Sequence, residues 1–300
     1  MAAELDSETG DLPESLWRDR SFWGMTATQF LGAFNDNLYK EAALLVCIDV
    51  APQGEDYQKY AQAAFAFPFV LFSGFAGYLA DRTSKRRIVV LCKIIEVLIV
   101  ALGAAALLGH RFELMMVVLF LMGTHSAFFG PAKYGILPEI VRDKNLSLAN
   151  GIFLMTTFLA IIFGMGAAGY VKGPIWDQKE WGYSAAFLGV AAAGVVTSIF
   201  VRKTPIAHPG LRFRWSSLAV SAETVAVLKR DKPLLTALII FSLFWLVAGI
   251  VQPSVNEFGK NQLQLDDRGT SLMLAGLSFG IAAGCAAAGK LSGDRVNFRL

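Results

Sequence analysis

The chain is poor in charged residues and in cysteine. Only 17% of its 300 residues are charged, whereas soluble proteins have about 25%. This deficit argues against an ordinary soluble domain and favours a protein with many membrane-spanning segments. The three cysteines, Cys47, Cys92 and Cys285, are far apart and lie within apolar runs. We therefore expect neither a disulfide framework nor a cysteine-bound metal.

The sequence also lacks the signals of secretion and of familiar enzymes. Residues 1–20 are acidic and polar, without the basic start and apolar core of a signal peptide. We find no HExxH motif, no nucleotide-binding glycine loop and no Cys/His metal spacing. We therefore predict no enzyme activity, no cofactor, no metal site and no nucleic-acid partner.

One hydrolase-like pattern, GLSFG, occurs at 276–280. As a nucleophile motif it requires a strand, a sharp turn and a helix. Here it lies inside an apolar run in which Gly276, Gly280 and Gly284 recur every four residues. That spacing is typical of membrane helices that pack through small residues, so we predict a packing face and not a nucleophile.

Long apolar runs are what the sequence has in abundance. Its mean hydropathy is +0.50, and eight runs are long enough to cross about 30 Å of hydrocarbon as helices. They lie at about 22–48, 59–80, 88–109, 114–137, 148–171, 183–201, 233–253 and 270–289. The predicted fold class is therefore an all-α polytopic membrane protein.

Basic residues are concentrated in alternate joints between these runs. Most of the 27 lysines and arginines lie at 1–20, 81–93, 139–147, 202–232 and beyond 289. Cytoplasmic segments of membrane proteins carry such an excess of positive charge. We therefore predict a cytoplasmic N-terminus and a location in the cell inner membrane.

The basic stretch at 202–232 divides the runs into a group of six and a group of two. We expect 1–20 to be a cytoplasmic tail, 21–201 to form an N-terminal six-helix bundle, and 233–300 to supply the first two helices of a second bundle. Within 202–232, apolar residues at helical spacing fit a helix lying at the membrane surface. A plain solvated linker fits equally well.

Three motifs give the chain a family resemblance. GYLADRTSKRR at 77–87 resembles the loop signature between the second and third helices of the major facilitator superfamily. FNDNLYK at 34–40 and FGPAKYGILPEIV at 129–141 are narrower, and together they resemble the lysophospholipid transporter branch of that superfamily. The resemblance covers nearly all of the chain from Phe22 onward. It implies the major facilitator fold, which has twelve spans in two halves, so we expect this eight-span chain to be a fragment.

The resemblance also implies a role for the loop signature. In the superfamily this loop acts as a gate latch against the second half of the protein. The residues at the corresponding positions here are Gly77, Asp81, Arg82, Arg86 and Arg87. The alternative is that its positive charges only set the topology, and both roles are compatible.

Charged and amide side chains lie inside the first apolar run. Asp36 lies roughly 20 Å from the start of its run, near the bilayer centre, where a charge costs about 2.5–3.5 kcal/mol. Lys40 follows on the same helical face, and Asn35 and Asn37 can hydrogen-bond nearby. Two interpretations stay open: a structural ion pair between helices, or a polar wall facing an aqueous cavity. We favour the cavity, because charges inside the membrane usually mark pathways.

Two ionisable residues, His125 and Lys133, lie on the fourth run, where Gly130 and Pro131 are expected to bend the helix. Alone, Lys133 could extend to the membrane surface and His125 could be a packing residue. The resemblance implies more, because helices one, four, seven and ten line the cavity in the superfamily. Asp36, His125 and Lys133 would then face one cavity.

Gln252 on the seventh run is a candidate substrate contact. Stand-alone members of the branch tend to carry Arg at this position. Members fused to a lysophospholipid acyltransferase and an acyl-activating domain tend to carry Gln. The resemblance therefore groups this chain with the fused members, and a contact made by that Arg cannot be carried over.

The predicted function is transport of a lysophospholipid toward the cytoplasmic leaflet for re-acylation. Lys133 and His125 would bind the phosphate, and Asp36 would pair with Lys40 or Lys133 or bind an amine head group. Expected partners are the lysophospholipid, membrane lipids, and an acyltransferase or acyl-activating domain. Two alternatives stay open: a superfamily carrier of another solute that uses Asp36 as a proton or cation site, and a non-transporting scaffold for an acyltransferase.

Overall fold

Eight long α-helices, one for each predicted apolar run, make up most of the molecule. The computed structural model describes residues 13, 15–52, 55–172, 180–213 and 222–292. The helices are α1 (Arg20–Val50), α2 (Gln58–Arg82), α3 (Lys85–Leu108), α4 (Phe112–Gly135), α5 (Asp143–Lys172), α6 (Glu180–Ile199), α7 (Lys232–Glu257) and α8 (Asp267–Ser292). The described residues contain no strand. The prediction of an all-α fold is confirmed.

Shorter elements join the long helices. A 3-10 turn (Leu16–Arg18) precedes α1, a four-residue helix (Leu137–Ile140) follows α4, and a π-helical turn (Phe258–Gln262) follows α7. In the basic stretch, Ala222–Arg230 is helical. Residues 214–221, where the predicted surface helix would begin, lie outside the described residues.

Side-chain caps define where α1 and α7 begin. The Asp19 carboxylate accepts hydrogen bonds from the backbone N–H groups of Ser21 at 2.8 Å and Phe22 at 3.2 Å. The Asp231 carboxylate accepts one from the Leu234 N–H at 3.0 Å. The first turn of a helix leaves such N–H groups without partners, and an aspartate cap supplies the missing acceptor.

The first six helices form a bundle in which α1 packs against α5 and α6, α3 against α4 and α6, and α2 against α4. Two glycines permit its closest approaches. A Cβ atom at Gly123 would come within 2.2 Å of the Phe65 carbonyl oxygen on α2. A Cβ atom at Gly164 would come within 2.7 Å of the Phe34 carbonyl oxygen on α1. Any larger residue would force these helices apart.

The helix ends form two groups, which we call the basic end and the opposite end. The basic end carries the start of α1 at Arg20, the end of α2 at Arg82 and the start of α3 at Lys85. The opposite end carries the end of α1 at Val50 and the start of α2 at Gln58.

The last two helices attach to this bundle differently. α8 packs closely along α5, whereas α7 contacts α1 and α2 through side chains near the opposite end, at Gln252, Pro253 and Asn256. The side chains of α7 from Leu234 to Val247 are exposed.

The predicted glycine packing face on α8 meets no other helix within the described residues. No atom of the described chain would lie within 4 Å of a Cβ at Gly276, Gly280 or Gly284. The close contact instead uses glycines of α5. A Cβ at Gly169 would lie 2.1 Å from the Asp267 carbonyl oxygen, and one at Gly166 would lie 3.3 Å from the Ala275 Cβ. The four-residue repeat is present on α8, but the other face of that helix meets α5.

Ser278, the serine of the hydrolase-like pattern, lies on this α5-facing side. Its hydroxyl is buried and donates to the Met165 sulfur at 3.5 Å. The pattern lies in the middle of α8 (Asp267–Ser292), without the strand and turn that a nucleophile motif needs.

Five helices are long and apolar enough to cross a membrane. They are Gln58–Arg82, Lys85–Leu108, Phe112–Gly135, Asp143–Tyr170 and Lys232–Gln262, and Ser184–Ile199 is a shorter apolar helix. α1, which carries three charged residues in its middle, and α8 are not among the five.

Candidate functional site

The polar residues in the middle of α1 point to different neighbours. The Asp36 Oδ2 atom accepts a hydrogen bond from the Ser126 hydroxyl of α4 at 2.6 Å. The Asn35 side chain donates to the Phe187 carbonyl oxygen of α6 at 3.3 Å. The Asn37 side chain donates to the Ala33 carbonyl oxygen of its own helix at 2.8 Å. Of the three, only Asp36 faces α4.

Asp36 keeps one oxygen without a partner. Its Oδ1 atom is buried and accepts no hydrogen bond. Within the described residues, no lysine nitrogen lies within 4.0 Å of this carboxylate. The expected ion pair with Lys40 or Lys133 is therefore absent. The Lys40 ammonium instead lies 5.2 Å from the centroid of the Phe65 ring, which attracts a cation through its π face.

Lys133 is a buried cation surrounded by hydroxyl and amide groups. Its side chain is only 8% exposed, and Nζ donates to the Thr157 hydroxyl of α5 at 3.2 Å. Thr157 in turn donates to Gln29 Oε1 of α1 at 2.7 Å, and Gln29 Nε2 donates to the Thr156 hydroxyl at 2.7 Å. Within the described part of the chain, no carboxylate lies within 4.0 Å of Lys133. Its ammonium lies 5.1 Å from the centroid of the Tyr134 ring, and no described carboxylate pairs with it.

The Asp36 and Lys133 environments form two layers between α1 and α4. Asp36 faces Ser126 in one layer, and Gln29 joins Lys133 through Thr157 in the other. The two helices are antiparallel. Asp36 and Gln29 are seven residues apart on α1, and Ser126 and Lys133 are seven residues apart on α4. Seven residues are two helical turns, so the layers are separated by about 10.5 Å along the bundle. Both charges lie between α1 and α4, and the cavity that they are expected to face stays a prediction.

His125 lies in a buried charged cluster with Lys93 and Glu96. Its Nε2 atom is 3.5 Å from Glu96 Oε2, and its ring stacks on Phe129. Lys93 Nζ lies 2.5 Å from the same Glu96 oxygen and forms an ion pair with it. The side chains of Lys93 and Glu96 are 0% and 3% exposed. His125 therefore contacts this interior cluster and is not part of the Lys133 layer.

Space for the buried Lys93 comes from two glycines. A Cβ at Gly32 of α1 would lie 2.6 Å from Lys93 Nζ, and a Cβ at Gly194 of α6 would lie 3.0 Å from Lys93 Cε. The Lys93 side chain therefore extends between α1 and α6. A larger residue in place of either glycine would collide with it.

Gln252 belongs to a third polar group, at the opposite end, which we call the outer cluster. It consists of Glu41 on α1, Gln58 and Gln62 on α2, and Gln252 and Asn256 on α7. Gln252 Nε2 donates to Glu41 Oε2 at 2.8 Å, and Gln62 Nε2 donates to Gln252 Oε1 at 3.3 Å. Asn256 Nδ2 donates to Gln58 Oε1, and Gln58 Nε2 donates to the Pro253 carbonyl oxygen, both at 3.3 Å.

Sequence reasoning missed most of the outer cluster. Glu41 is a charge inside the same apolar run as Asp36 and Lys40, but the sequence analysis did not include it among the site residues. Gln58, Gln62 and Asn256 carry no charge, so nothing in the sequence pattern singled them out. The same holds for Gln29 and Thr157 in the Lys133 layer.

The loop signature contacts the basic end of the bundle. Arg86 donates to the carbonyl oxygens of Val201 at 2.5 Å and Ile199 at 3.3 Å, and so covers the end of α6. Lys85 pairs with Glu139 of the short helix after α4.

The segment after α6 also lies against this loop. The His208 N–H donates to the Asp81 carbonyl oxygen at 2.9 Å, and Arg82 donates to the Tyr78 hydroxyl at 2.5 Å. A Cβ at Gly77 would meet nothing within 4 Å. Among the described residues, no hydrogen bond or ion pair joins the loop signature to α7 or α8; this holds for Gly77, Asp81, Arg82, Arg86 and Arg87.

Comparison with known proteins assigns the family. The family model of the Major Facilitator Superfamily matches residues 53–300. The chain belongs to the major facilitator superfamily. It is therefore a multi-pass membrane protein, as its apolar helices indicate.

Its curated relatives fall in the branch that the motifs predicted. The chain is 30% identical over 294 residues to the lysophospholipid transporter LplT of Enterobacter sp. (strain 638), covering 95% of this chain and 69% of the relative. It is 31% identical over 236 residues to LplT of Serratia proteamaculans (strain 568), covering 75% of this chain and 54% of the relative. The resemblance stated from the motifs is confirmed.

A solved structure supports the fold. A bacterial homologue of the human lysosomal transporter Spinster, in an inward-facing and unoccupied conformation, matches with a TM-score of 0.66 at 17% sequence identity. The match covers 93% of this chain and 63% of that protein. At this level of identity the likeness shows the fold alone.

Proposed function

We propose that this chain forms part of a membrane carrier that moves a lysophospholipid between leaflets. The observation that carries the proposal is the buried ammonium of Lys133, which no described carboxylate pairs with. Holding an unpaired charge in the membrane costs several kcal/mol, roughly 2.5–3.5 on insertion scales. An anionic phosphate that reaches this layer would compensate the charge and form a charge-assisted hydrogen bond. The relatives named as lysophospholipid transporters supply the class of substrate.

The two layers between α1 and α4 suit the two charges of a zwitterionic head group. Lys133 and Thr157 would hold the phosphate. Asp36, with one oxygen free, would accept an amine at the neighbouring layer. The acyl chain would lie along an apolar surface, such as the exposed side of α7 from Leu234 to Val247. Gln252 and Lys40 stay secondary candidates for head-group contact.

We further propose the sidedness and partners of the carrier. The positive charge at the basic end supports a cytoplasmic location for that end and for the N-terminus. Transport would then deliver lysophospholipid to the cytoplasmic leaflet of the inner membrane for re-acylation. An acyltransferase or acyl-activating domain is the proposed partner, and the basic stretch 202–232 is its proposed contact.

The loop signature is proposed to act as a latch at the basic end. In the described structure Arg86 covers the end of α6 instead of contacting α7 or α8. Asp81, Arg82 and Arg87 remain available for such a contact in another conformation. This proposal rests on the family resemblance and on the location of the loop.

The proposal is tested by replacing the cation of the Lys133 layer. In the full-length protein, Lys133→Gln should lower uptake of labelled lysophospholipid by spheroplasts by roughly tenfold or more, the loss expected for a charged hydrogen bond of about 1.5–3 kcal/mol. Lys133→Arg keeps the charge and should retain most of the uptake. Uptake is normalised to the amount of protein in the membrane. Equal uptake by the wild type and the glutamine variant would contradict the proposal.

One observation favours a second candidate function, a carrier of another solute coupled to a proton or cation. The buried Asp36 Oδ1 has no partner, as expected of a site that binds a cation. The two functions differ in their dependence on ions. Uptake of lysophospholipid that is unchanged by collapsing the proton and sodium gradients, together with loss of uptake in Lys133→Gln, would favour the first.

A further inference from the structure

Three lysines are buried among the described residues, and their neighbours differ in charge. Lys85 pairs with Glu139, and Lys93 Nζ lies 2.5 Å from Glu96 Oε2. Lys133 is buried as deeply as Lys85, but no described carboxylate lies within 4.0 Å of it. A buried charge without a counter-charge is costly. Two of the buried cations are thus compensated by a neighbouring carboxylate, and the third is not.

A glutamine lies beside Lys133, at a place where a counter-charge would fit. Gln29 on α1 is 1% exposed, and its Oε1 atom accepts a hydrogen bond from the Thr157 hydroxyl at 2.7 Å. The same hydroxyl oxygen accepts one from Lys133 Nζ at 3.2 Å. Because both contact one oxygen atom, the amide oxygen and the ammonium are less than roughly 6 Å apart, close enough for a charge on one to act on the other.

Hydrogen bonds to α5 hold the glutamine in this place. Gln29 Nε2 donates to the Thr156 hydroxyl at 2.7 Å. The hydroxyls of Thr156 and Thr157 also lie 2.8 Å from carbonyl oxygens of their own helix, those of Ile152 and Phe153. A Gln29 side chain that turned away would leave its buried amide without these partners. The polar chain therefore runs from α1 through α5 to the lysine on α4.

We propose that Gln29 is a specificity-determining residue, whose neutral amide keeps the Lys133 ammonium available to an anionic head group. Glutamate has nearly the same size and shape as glutamine, so it would fit between α1 and α5. Its carboxylate would compensate the lysine from within the protein, in surroundings where water screens charge weakly. A lysophospholipid phosphate would then have to displace an internal anion before it could bind. This inference deepens the proposed function and rests on it.

The first measurement is the concentration dependence of lysophospholipid uptake by spheroplasts that express the full-length protein. In Gln29→Glu, the concentration for half-maximal uptake should rise roughly tenfold, because an internal pair that forms most of the time lowers the fraction of protein competent to bind. The maximal rate should change much less, since saturating substrate displaces the internal carboxylate. Poor folding would instead lower the maximal rate and the amount of protein in the membrane, and would leave the half-saturating concentration unchanged.

The second measurement involves no lipid and compares the melting temperatures of purified proteins in detergent. Gln29→Glu should lower the melting temperature much more in the Lys133→Gln background than in the wild type, because only the wild type offers a cation to the introduced carboxylate. An equal effect in both backgrounds would show that the two positions do not interact, and would overturn the inference.

Two further variants control for charge and for folding. Gln264→Glu makes the same chemical change in an exposed side chain between α7 and α8, and should keep the half-saturating concentration of the wild type. An equal rise in this variant would show a general effect of charge and overturn the inference. Thr157→Asp places a carboxylate where Lys133 now contacts a hydroxyl, and should repeat the rise if Gln29→Glu folds poorly.

This inference and the proposed function fail in different experiments. If Lys133→Gln lowers uptake but Gln29→Glu keeps the half-saturating concentration of the wild type, the inference is overturned and the proposed function stands. If Lys133→Gln leaves uptake unchanged, the proposed function is contradicted and the inference falls with it.

Discussion

Neighbouring residues in the middle of α1 take different partners because successive side chains of a helix point about 100° apart. Asn35 donates to α6, Asp36 accepts from α4, and Glu41 accepts from α7. Lys40 lies over an aromatic ring of α2. A polar run that reads as one motif in the sequence therefore serves four neighbouring helices.

At this scale we predict that Asp36 and Lys133 act in the pathway and not as a structural pair. Asp36→Asn retains an oxygen that can accept from Ser126, so membrane abundance should stay near normal while lysophospholipid uptake falls roughly tenfold or more. No ion pair within 4.0 Å joins the two residues, so the double variant Asp36→Asn/Lys133→Gln should not recover the lost uptake, and its abundance should stay near normal. Both quantities are measured in spheroplasts of cells that express the full-length protein. A double variant that regains both would show that the charges only hold helices together.

At the scale of helices, contact is set by where glycine permits backbones to approach. The α1–α5 contact depends on Gly164, whose Cβ position lies 2.7 Å from the Phe34 carbonyl oxygen. The α8 glycines at 276, 280 and 284 meet nothing within 4 Å in the described chain. A glycine repeat in the sequence therefore does not by itself identify the face that packs.

These glycines give a matched pair of stability predictions. Gly164→Ala should destabilise the protein by about 1–3 kcal/mol, because the added methyl group meets a backbone atom that cannot turn aside. Gly276→Ala adds the same methyl group in open space and should leave stability unchanged or slightly higher. The stabilities of the two variants are compared by thermal unfolding of the purified proteins in detergent. The readout is the loss of the monodisperse peak as the temperature rises. An equal loss in both variants would show that the α8 glycines face another helix after all.

At the scale of the whole molecule, charge divides the bundle into two ends. The basic end holds the loop signature and the segment after α6, which are joined by hydrogen bonds between Ser84 and Thr204 at 3.1 Å and between His208 and Asp81. The opposite end holds the outer cluster and the Lys260 ion pairs.

We predict that the basic end faces the cytoplasm. Ala207 and Glu257 are exposed residues at the two ends, and each is replaced by cysteine in a background without native cysteines. In intact spheroplasts, an impermeant thiol reagent should label Glu257→Cys and leave Ala207→Cys unlabelled until the membrane is permeabilised. Ser84 would be a poor reporter, because its side chain is buried against Thr204. Labelling of Ala207→Cys from outside would reverse the orientation.

The sequence by itself determined the number and positions of the long helices and the family. Runs of about 20 apolar residues must be helical in a membrane, because no other open structure satisfies its backbone hydrogen bonds there. It also identified Asp36 and Lys133, since charges are rare enough in apolar runs to stand out.

Only the tertiary structure decided which groups these residues meet. It separated Asp36 from Lys40, brought His125 to Glu96, and joined Glu41 to Gln252 across 211 positions of the chain. Uncharged partners such as Gln58 and Asn256 leave no signal in hydropathy or charge. They become visible only when the packing of three helices encloses a carboxylate and removes its water.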